Sequence, residues 1–280
     1  MKELATFYTD AAAAEVRNPR DASCDASRDT IPEGVSEVIA HRLKRLSRAG
    51  GIILDYAAVI GREFSTTQLQ AVFQRQKNDL DFLLCIEEAE RGGIIEPLDS
   101  GRYRFIHRLI QESLLEQLGP SGRARLHAEV GLAIEALLGS DAKGHAAELL
   151  GHFVEASGYI DVGKVAGYAA AAGEQALAIF AYEDALRFFK IASRSGSSDP
   201  PDAAKIQFNL GRTYAFLMRP EEAIDCICRA FDAFVDLECV EEAIEVASIP
   251  FLPIDLHNAI ACSISRLTGM LLRRYRCVSA

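Results

Sequence analysis

GRYRFIHRLIQESLLEQL, residues 101–118, changes its hydrophobic period halfway along. Arg102-Tyr103-Arg104-Phe105-Ile106 alternates polar and apolar, as a half-buried strand does. Leu109, Ile110, Ser113, Leu114, Gln117 and Leu118 then recur at three and four, the spacing of a helix with one apolar stripe. His107 stands where strand hands over to helix, a place where free backbone N–H groups gather and anions are stabilised. Upstream, Ile94-Ile95-Glu96-Pro97-Leu98 reads as a second short strand, and Asp99-Ser100-Gly101 as the turn that closes the two into a hairpin.

Working outward from the hairpin, the preceding chain is helical. Thr30-Ile31-Pro32-Glu33 fits a capping box with proline in the first turn, and Val35, Val38, Ile39, Leu43 and Leu46 make one apolar face. Gly50-Gly51 is expected to end or bend that helix, and Ile52–Ile60 to form a more buried one stopped by Gly61. Ser65-Thr66-Thr67-Gln68 is another capping box, opening a helix that carries Leu69, Val72 and Phe73. Asn78 can cap the next helix, with Leu80, Leu83, Leu84 and Ala89 as its buried stripe and Gly92-Gly93 as its end. Helices, a hairpin, then a further helix is the order of a winged-helix domain, expected over residues 30–138. Gly119-Pro120 ends the helix after His107. Ser121 is expected to cap another, in which Leu126, Val130, Ile134, Leu137 and Leu138 pack inward.

From about Gly144 alanine dominates and strand patterns vanish. Leu210, Gly211, Tyr214, Ala223 and Ala230 sit at the spacing of a tetratricopeptide unit, helix then helix. Gly173, Ala185, Phe189 and Ala192 occupy the matching places of an earlier copy, with Ser195 to Pro201 as a longer loop between copies. Small residues let two helices approach closely, and an aromatic fills the groove between them. The expected fold is therefore mainly α. A winged-helix domain with one β-hairpin is followed, over residues 139–249, by an α-solenoid of tetratricopeptide-like helix pairs. Residues 1–29 read as a linker or disordered tail, and residues 250–280 as a helical tail of uncertain extent.

The 280 residues are 49% hydrophobic and 25% charged, enough for two domains with cores of their own. A net charge of -10 argues against nonspecific nucleic-acid or anionic-membrane binding. Seven cysteines without regular spacing, among them Cys85, Cys226 and Cys262 inside apolar helical patterns, read as reduced thiols of a cytoplasmic protein. There is no apolar run of about 18 residues and no basic segment ahead of an apolar core, so neither a membrane span nor a secretory signal is expected.

Five segments carry a family resemblance. They are Ile31-Pro32-Glu33-Gly34-Val35 with Arg42-Leu43-Lys44-Arg45-Leu46-Ser47, then Ala57-Ala58-Val59-Ile60-Gly61-Arg62-Glu63-Phe64, Tyr103-Arg104-Phe105-Ile106-His107, Leu109-Ile110-Gln111-Glu112, and Arg123-Ala124-Arg125-Leu126-His127. In that order, across Thr30 to Leu237, the chain resembles the region that follows the ATPase core in large bacterial LuxR-type regulators and cyclase-linked ATPases. These belong to the signal-transduction ATPases with numerous domains, the STAND class. The resemblance implies ATP or ADP as the ligand of a full-length protein, an upstream ATPase domain as partner, and a downstream reader of DNA. This sequence contains no G-x-x-x-x-G-K-[ST] and no such reader, so the resemblance implies a middle piece. Gly51-Ile52-Ile53-Leu54-Asp55 mimics a Walker B strand but, without a phosphate loop, reads as helix.

The resemblance also implies a role for His107. In this class a histidine after the wing contacts the β-phosphate of bound ADP and holds a closed state, here only with an upstream ATPase core present. The rival reading is a DNA-binding winged-helix transcription factor with a repeat-based dimerisation or sensing domain. It is opposed by the helix in the recognition position, Asn78 to Glu90, which carries Asp79, Asp81, Glu87, Glu88 and Glu90 and no Lys or Arg. Arg102, Arg104 and Arg108 are read as facing acidic protein surface or nucleotide. A third reading, a metal-dependent hydrolase, would need a tighter constellation than His145, Glu148 and His152, which are read as a polar edge. Cys226 and Cys228 are expected to point to different sides of one helix as packing residues, and no nucleophilic triad is identifiable from spacing. The expectation is a non-enzymatic regulatory module without a metal, whose repeat surface binds a protein or peptide.

Overall fold

The computed structural model describes residues 41–75, 82–99, 101–197 and 199–248. It is mainly helical with one small antiparallel sheet, and the chain divides into two compact units, residues 1–160 and 161–280. The Thr30 capping box, the face built on Val35, Val38 and Ile39, the Asn78 cap, Leu80 and the two terminal segments lie outside the described residues.

In the first unit α1 (Arg48–Ile60) is followed by β1 (Glu63–Ser65), α2 (Thr66–Arg75), α3 (Phe82–Arg91), β2 (Ile95–Asp99) and β3 (Arg102–Phe105). Then come α4 (Arg108–Leu138), a 3-10 turn (Gly139–His145) and α5 (Ala146–Glu155). The helix break before α1 lies at Ser47, not at Gly50-Gly51. Ser47 Oγ accepts from Gly50 N at 3.0 Å, while Glu88 receives both Ser47 N at 2.7 Å and Ser47 Oγ at 2.6 Å. The two glycines therefore sit in the first turn of α1. The capping box before α2 forms as read: Ser65 N donates to Gln68 Oε1 at 3.2 Å and Gln68 N donates to Ser65 Oγ at 3.1 Å. Gly93, with φ 64°, closes α3, and Ile94 N reaches back to Ala89 O at 3.1 Å.

The expected hairpin is present, with Ile95 opposite Phe105 and Pro97 opposite Tyr103. The sheet also has a third strand absent from the expectation. β1 pairs with β3, Phe64 opposite Tyr103, giving the order β1-β3-β2. Three residues are too few to show an alternation, and their partner lies some forty positions away in the chain. Pro97 falls on an edge strand, where its missing N–H is tolerated. Phe64, Phe105, Leu54, Leu69, Ile94 and Ile110 are buried and form the core that joins sheet to helices.

Two expected stripes are out of phase. In α3 the buried residues are Cys85, Ile86 and Ala89, whereas Leu83 and Leu84 are 67% and 58% exposed. Phe82 to Ile86 is an unbroken apolar run, so its period is ambiguous and packing chooses the face. Leu137, expected inside, is also exposed, while Leu126, Val130 and Ile134 are buried. Gly119, with φ 64° and ψ 170°, breaks α4 just before Pro120, as the dipeptide suggested. α5 packs on α4 within this unit, with the Phe153 ring against Gly131.

The second unit contains α6 (Val162–Ala178), α7 (Tyr182–Ser195), α8 (Pro200–Phe216), α9 (Pro220–Asp236) and α10 (Val240–Ala247). Among the described residues no strand follows β3. Each helix packs on the next as in a solenoid. A Cβ on Gly173 would meet the Phe189 ring at 2.7 Å, and one on Gly211 would meet Ile227 at 2.5 Å. The same offset separates 173 from 211, 185 from 223, 189 from 227 and 192 from 230, so two copies of one helix–helix contact follow each other.

Candidate functional site

β3 ends on buried Phe105, whose N–H donates to Arg62 O at 3.0 Å, and Ile106 N donates to Ile94 O at 3.1 Å. These two bonds tie the strand to β1 and β2 up to the residue before His107. His107 is extended (φ -126°, ψ 136°) and is the N-cap of α4. Its carbonyl accepts from Ile110 N at 3.0 Å, while its side chain makes no capping bond and is exposed. The His107 backbone is thus fixed between the strand end and the helix start, while its imidazole is exposed and does not cap that helix. Gln111, one turn on, anchors α4 by donating to Ala58 O of α1 at 2.9 Å.

The arginines around this junction are paired with carboxylates. Arg102 meets Glu63 at 2.9 Å and Asp99 at 3.5 Å, Arg104 meets Glu96 at 2.6 Å, and Arg108 meets Glu112 at 2.7 Å. The described part of α3 has Arg91 on Glu87 at 2.7 Å and Glu88 turned to Ser47. The surface that would meet a phosphate backbone therefore offers guanidinium groups already matched by acids, beside exposed Leu83 and Leu84.

The other sequence candidates separate. Asp55 lies inside α1, so the Walker B lookalike is helix; burial pushes its carboxyl up to about 6. His145 lies in the 3-10 turn with its Nδ1 3.4 Å from Glu148, which also accepts from Gln68 Nε2 at 3.2 Å. They border a shallow concavity of about 450 Å³ floored by Phe64, Ile134 and Leu138. His152 is buried elsewhere, its Nδ1 3.1 Å from that of His127 on α4. Burial pulls both imidazoles down, His127 to about 3 with His152 and Arg123 adding to the effect, and His152 to about 4. Sequence reasoning missed this pair; both residues stood in view, but nothing linked positions on two helices. Among the described residues no three His, Cys, Asp or Glu converge as metal ligands. Cys226 belongs to the buried cluster of Ala185, Phe189 and Tyr214, whereas Cys228 packs against a different cluster, the one that contains Phe231 and Phe234, and burial raises both thiols. They face different sides, as their spacing suggested.

No helix among the described residues is long and apolar enough to cross a membrane. Comparison with protein-family models, with curated proteins and with solved structures finds no match to this chain.

Proposed function

We propose that the chain is a non-catalytic regulatory and interaction segment of a STAND-type ATPase signalling protein or transcriptional regulator. In this reading the first unit is a winged-helix domain. What supports it is the run of helices α1 to α3, the hairpin β2-β3 and then the helix α4, with β1 added to the sheet beside β3. The helix pairs of the second unit are tetratricopeptide-like repeats that carry a protein or peptide partner on their surface. The chain relays nucleotide or effector state between an upstream ATPase domain and that partner, in the cytoplasm. It supplies neither catalysis nor a metal, and ATP or ADP belongs to the full-length architecture.

The observation that carries this reading is the state of His107. Its backbone is clamped between a strand and a helix start, and its ring is exposed and bound to no cap. A helix N-terminus favours an oxyanion, so an imidazole there suits a phosphate delivered from outside the unit. In a full-length relative, replacing the corresponding histidine by alanine removes a charge-assisted hydrogen bond worth about 1.5–3 kcal/mol from the closed form alone. A reporter assay without inducer then gives constitutive output, about tenfold or more above basal, and purified protein loses ADP affinity. Unchanged output together with unchanged ADP affinity overturns the reading.

A further inference from the structure

In the second unit α6 and α8 end, and α7 and α9 begin, at the same edge, because each pair is joined by a tight turn. Both turns are built alike. Ala181 N donates to Ala176 O at 2.8 Å and Arg219 N donates to Tyr214 O at 2.9 Å, with Phe180 (φ 60°) and Met218 (φ 57°) in the left-handed region. That region is disfavoured for side chains with a Cβ, and glycine or asparagine fits it best. Yet here the chain places a phenylalanine that is 75% exposed and a methionine that is 85% exposed. The α9–α10 junction is an internal control. It makes the same bond, Cys239 N to Phe234 O at 2.9 Å, with Glu238 at φ 58°. The turn geometry therefore does not demand an apolar residue.

These two residues belong to a patch. Tyr182 stacks on Phe216 with centroids 4.7 Å apart and planes 14° apart, and Phe180 meets Tyr182 edge-on at 6.3 Å. Ile179 is exposed beside them. The stack bridges the α6–α7 and α8–α9 turns and fixes an apolar ledge across two helix pairs. Its rim is acidic. Glu183 and Asp184 open α7, and Glu221 and Glu222 open α9. Against these four acids stand Arg187, held by Asp184 at 3.0 Å, and Arg219, held by Glu222.

We infer that this turn edge docks an amphipathic, basic helical segment of a partner protein, whose apolar side chains cover Phe180, Met218 and the Tyr182–Phe216 stack. A second copy of this chain is disfavoured as occupant, since it would set one acidic rim against another on a chain of net charge -10. A basic segment instead gains from both the apolar face and the rim. The inference rests on the interaction role proposed above for the helix pairs and is independent of the ATPase reading.

The probe is a synthetic helical peptide with leucines at i, i+3, i+4 and i+7 and lysines elsewhere, measured against the whole chain by fluorescence anisotropy. A peptide with glutamate in place of lysine and a scrambled lysine peptide are the controls. The lysine peptide binds and both controls bind at least tenfold more weakly. The double variant Phe180→Gly/Met218→Gly leaves every charge in place and suits the turns better, so its melting temperature does not fall, yet its affinity drops tenfold or more. Glu183→Gln/Glu221→Gln loses several-fold and flattens the salt dependence. Equal binding by the glycine variant and the parent overturns the edge while leaving an interaction role elsewhere on the repeats. Absence of binding by the lysine peptide, or self-association through the edge in sedimentation, overturns the inference outright.

Discussion

His107 and the His127–His152 pair make opposite demands on their surroundings. His107 is exposed and uncapped, so His107→Ala is expected to leave the stability of this chain within about 0.5 kcal/mol, measured by urea denaturation. The buried pair is held neutral, and its effect on stability has a definite sign. Unfolded, each imidazole takes its proton near 6.5; folded, at about 3 and about 4. The unfolded chain therefore binds more protons below 6.5, and stability present above that pH is lost as pH falls toward 4. Asp55 works the other way: raised from 3.8 to about 6, it is relieved on acidification. It is only half-buried, so solvent screening reduces its share. Two buried imidazoles outweigh it, and stability should fall by on the order of 2 kcal/mol between pH 7 and pH 5. Thermal melts across that range check this. Asp55→Asn should raise the melting temperature at pH 8 and steepen the acid loss, whereas His127→Gln/His152→Gln should flatten it.

Among the elements, the helix pairs test close approach. Gly173 and Gly211 face Phe189 and Ile227 so closely that alanine at either site forces a ring or a helix to move. Each substitution should destabilise by about 1–3 kcal/mol. Gly167 is the contrast. It lies in α6 with nothing within 4 Å of a Cβ, so Gly167→Ala should stabilise by about 0.5–1 kcal/mol through helix propensity alone. Equilibrium unfolding of the three variants decides the matter; similar values for all three would show that the packing between paired helices is loose. The turns follow the same logic. Their backbone bonds recur at Phe180, Met218 and Glu238, while the side chains there differ, so geometry and surface chemistry are separable within one element.

For the whole molecule, charge governs what it can bind. The net charge of -10, the paired arginines of the first unit and the exposed leucines of α3 all oppose a duplex. Affinity for duplex DNA is expected at about 10⁻⁴ M or weaker at physiological salt, without sequence preference. A mobility shift showing selective, submicromolar binding would reverse this and favour the transcription-factor reading. On the inference drawn above, the acidic rim of the turn edge in the second unit instead favours a cationic segment.

Much of the local architecture was determined by the sequence alone. Ser65 with Gln68, Gly93, Gly119-Pro120 and the hairpin turn each set a helix start, a helix end or a reversal within a few residues. Their hydrogen bonds and backbone angles are satisfied by near neighbours, so they need no knowledge of the rest of the chain. The close approach of Gly173 to Phe189 was legible for a related reason: the chain sets a glycine against a large apolar residue at the same offset twice, Phe189 in one copy and Ile227 in the other. Tertiary structure alone decided the third strand, the face of α3 that is buried, the end of the first unit at Ile160, the aromatic stack of the turn edge and the meeting of His127 with His152. None of these follows from spacing along one element. A three-residue strand exists only because β3 offers it an edge. An all-apolar helix segment has no preferred face until a neighbour covers one. Two histidines on separate helices become a buried pair only when α4 and α5 pack.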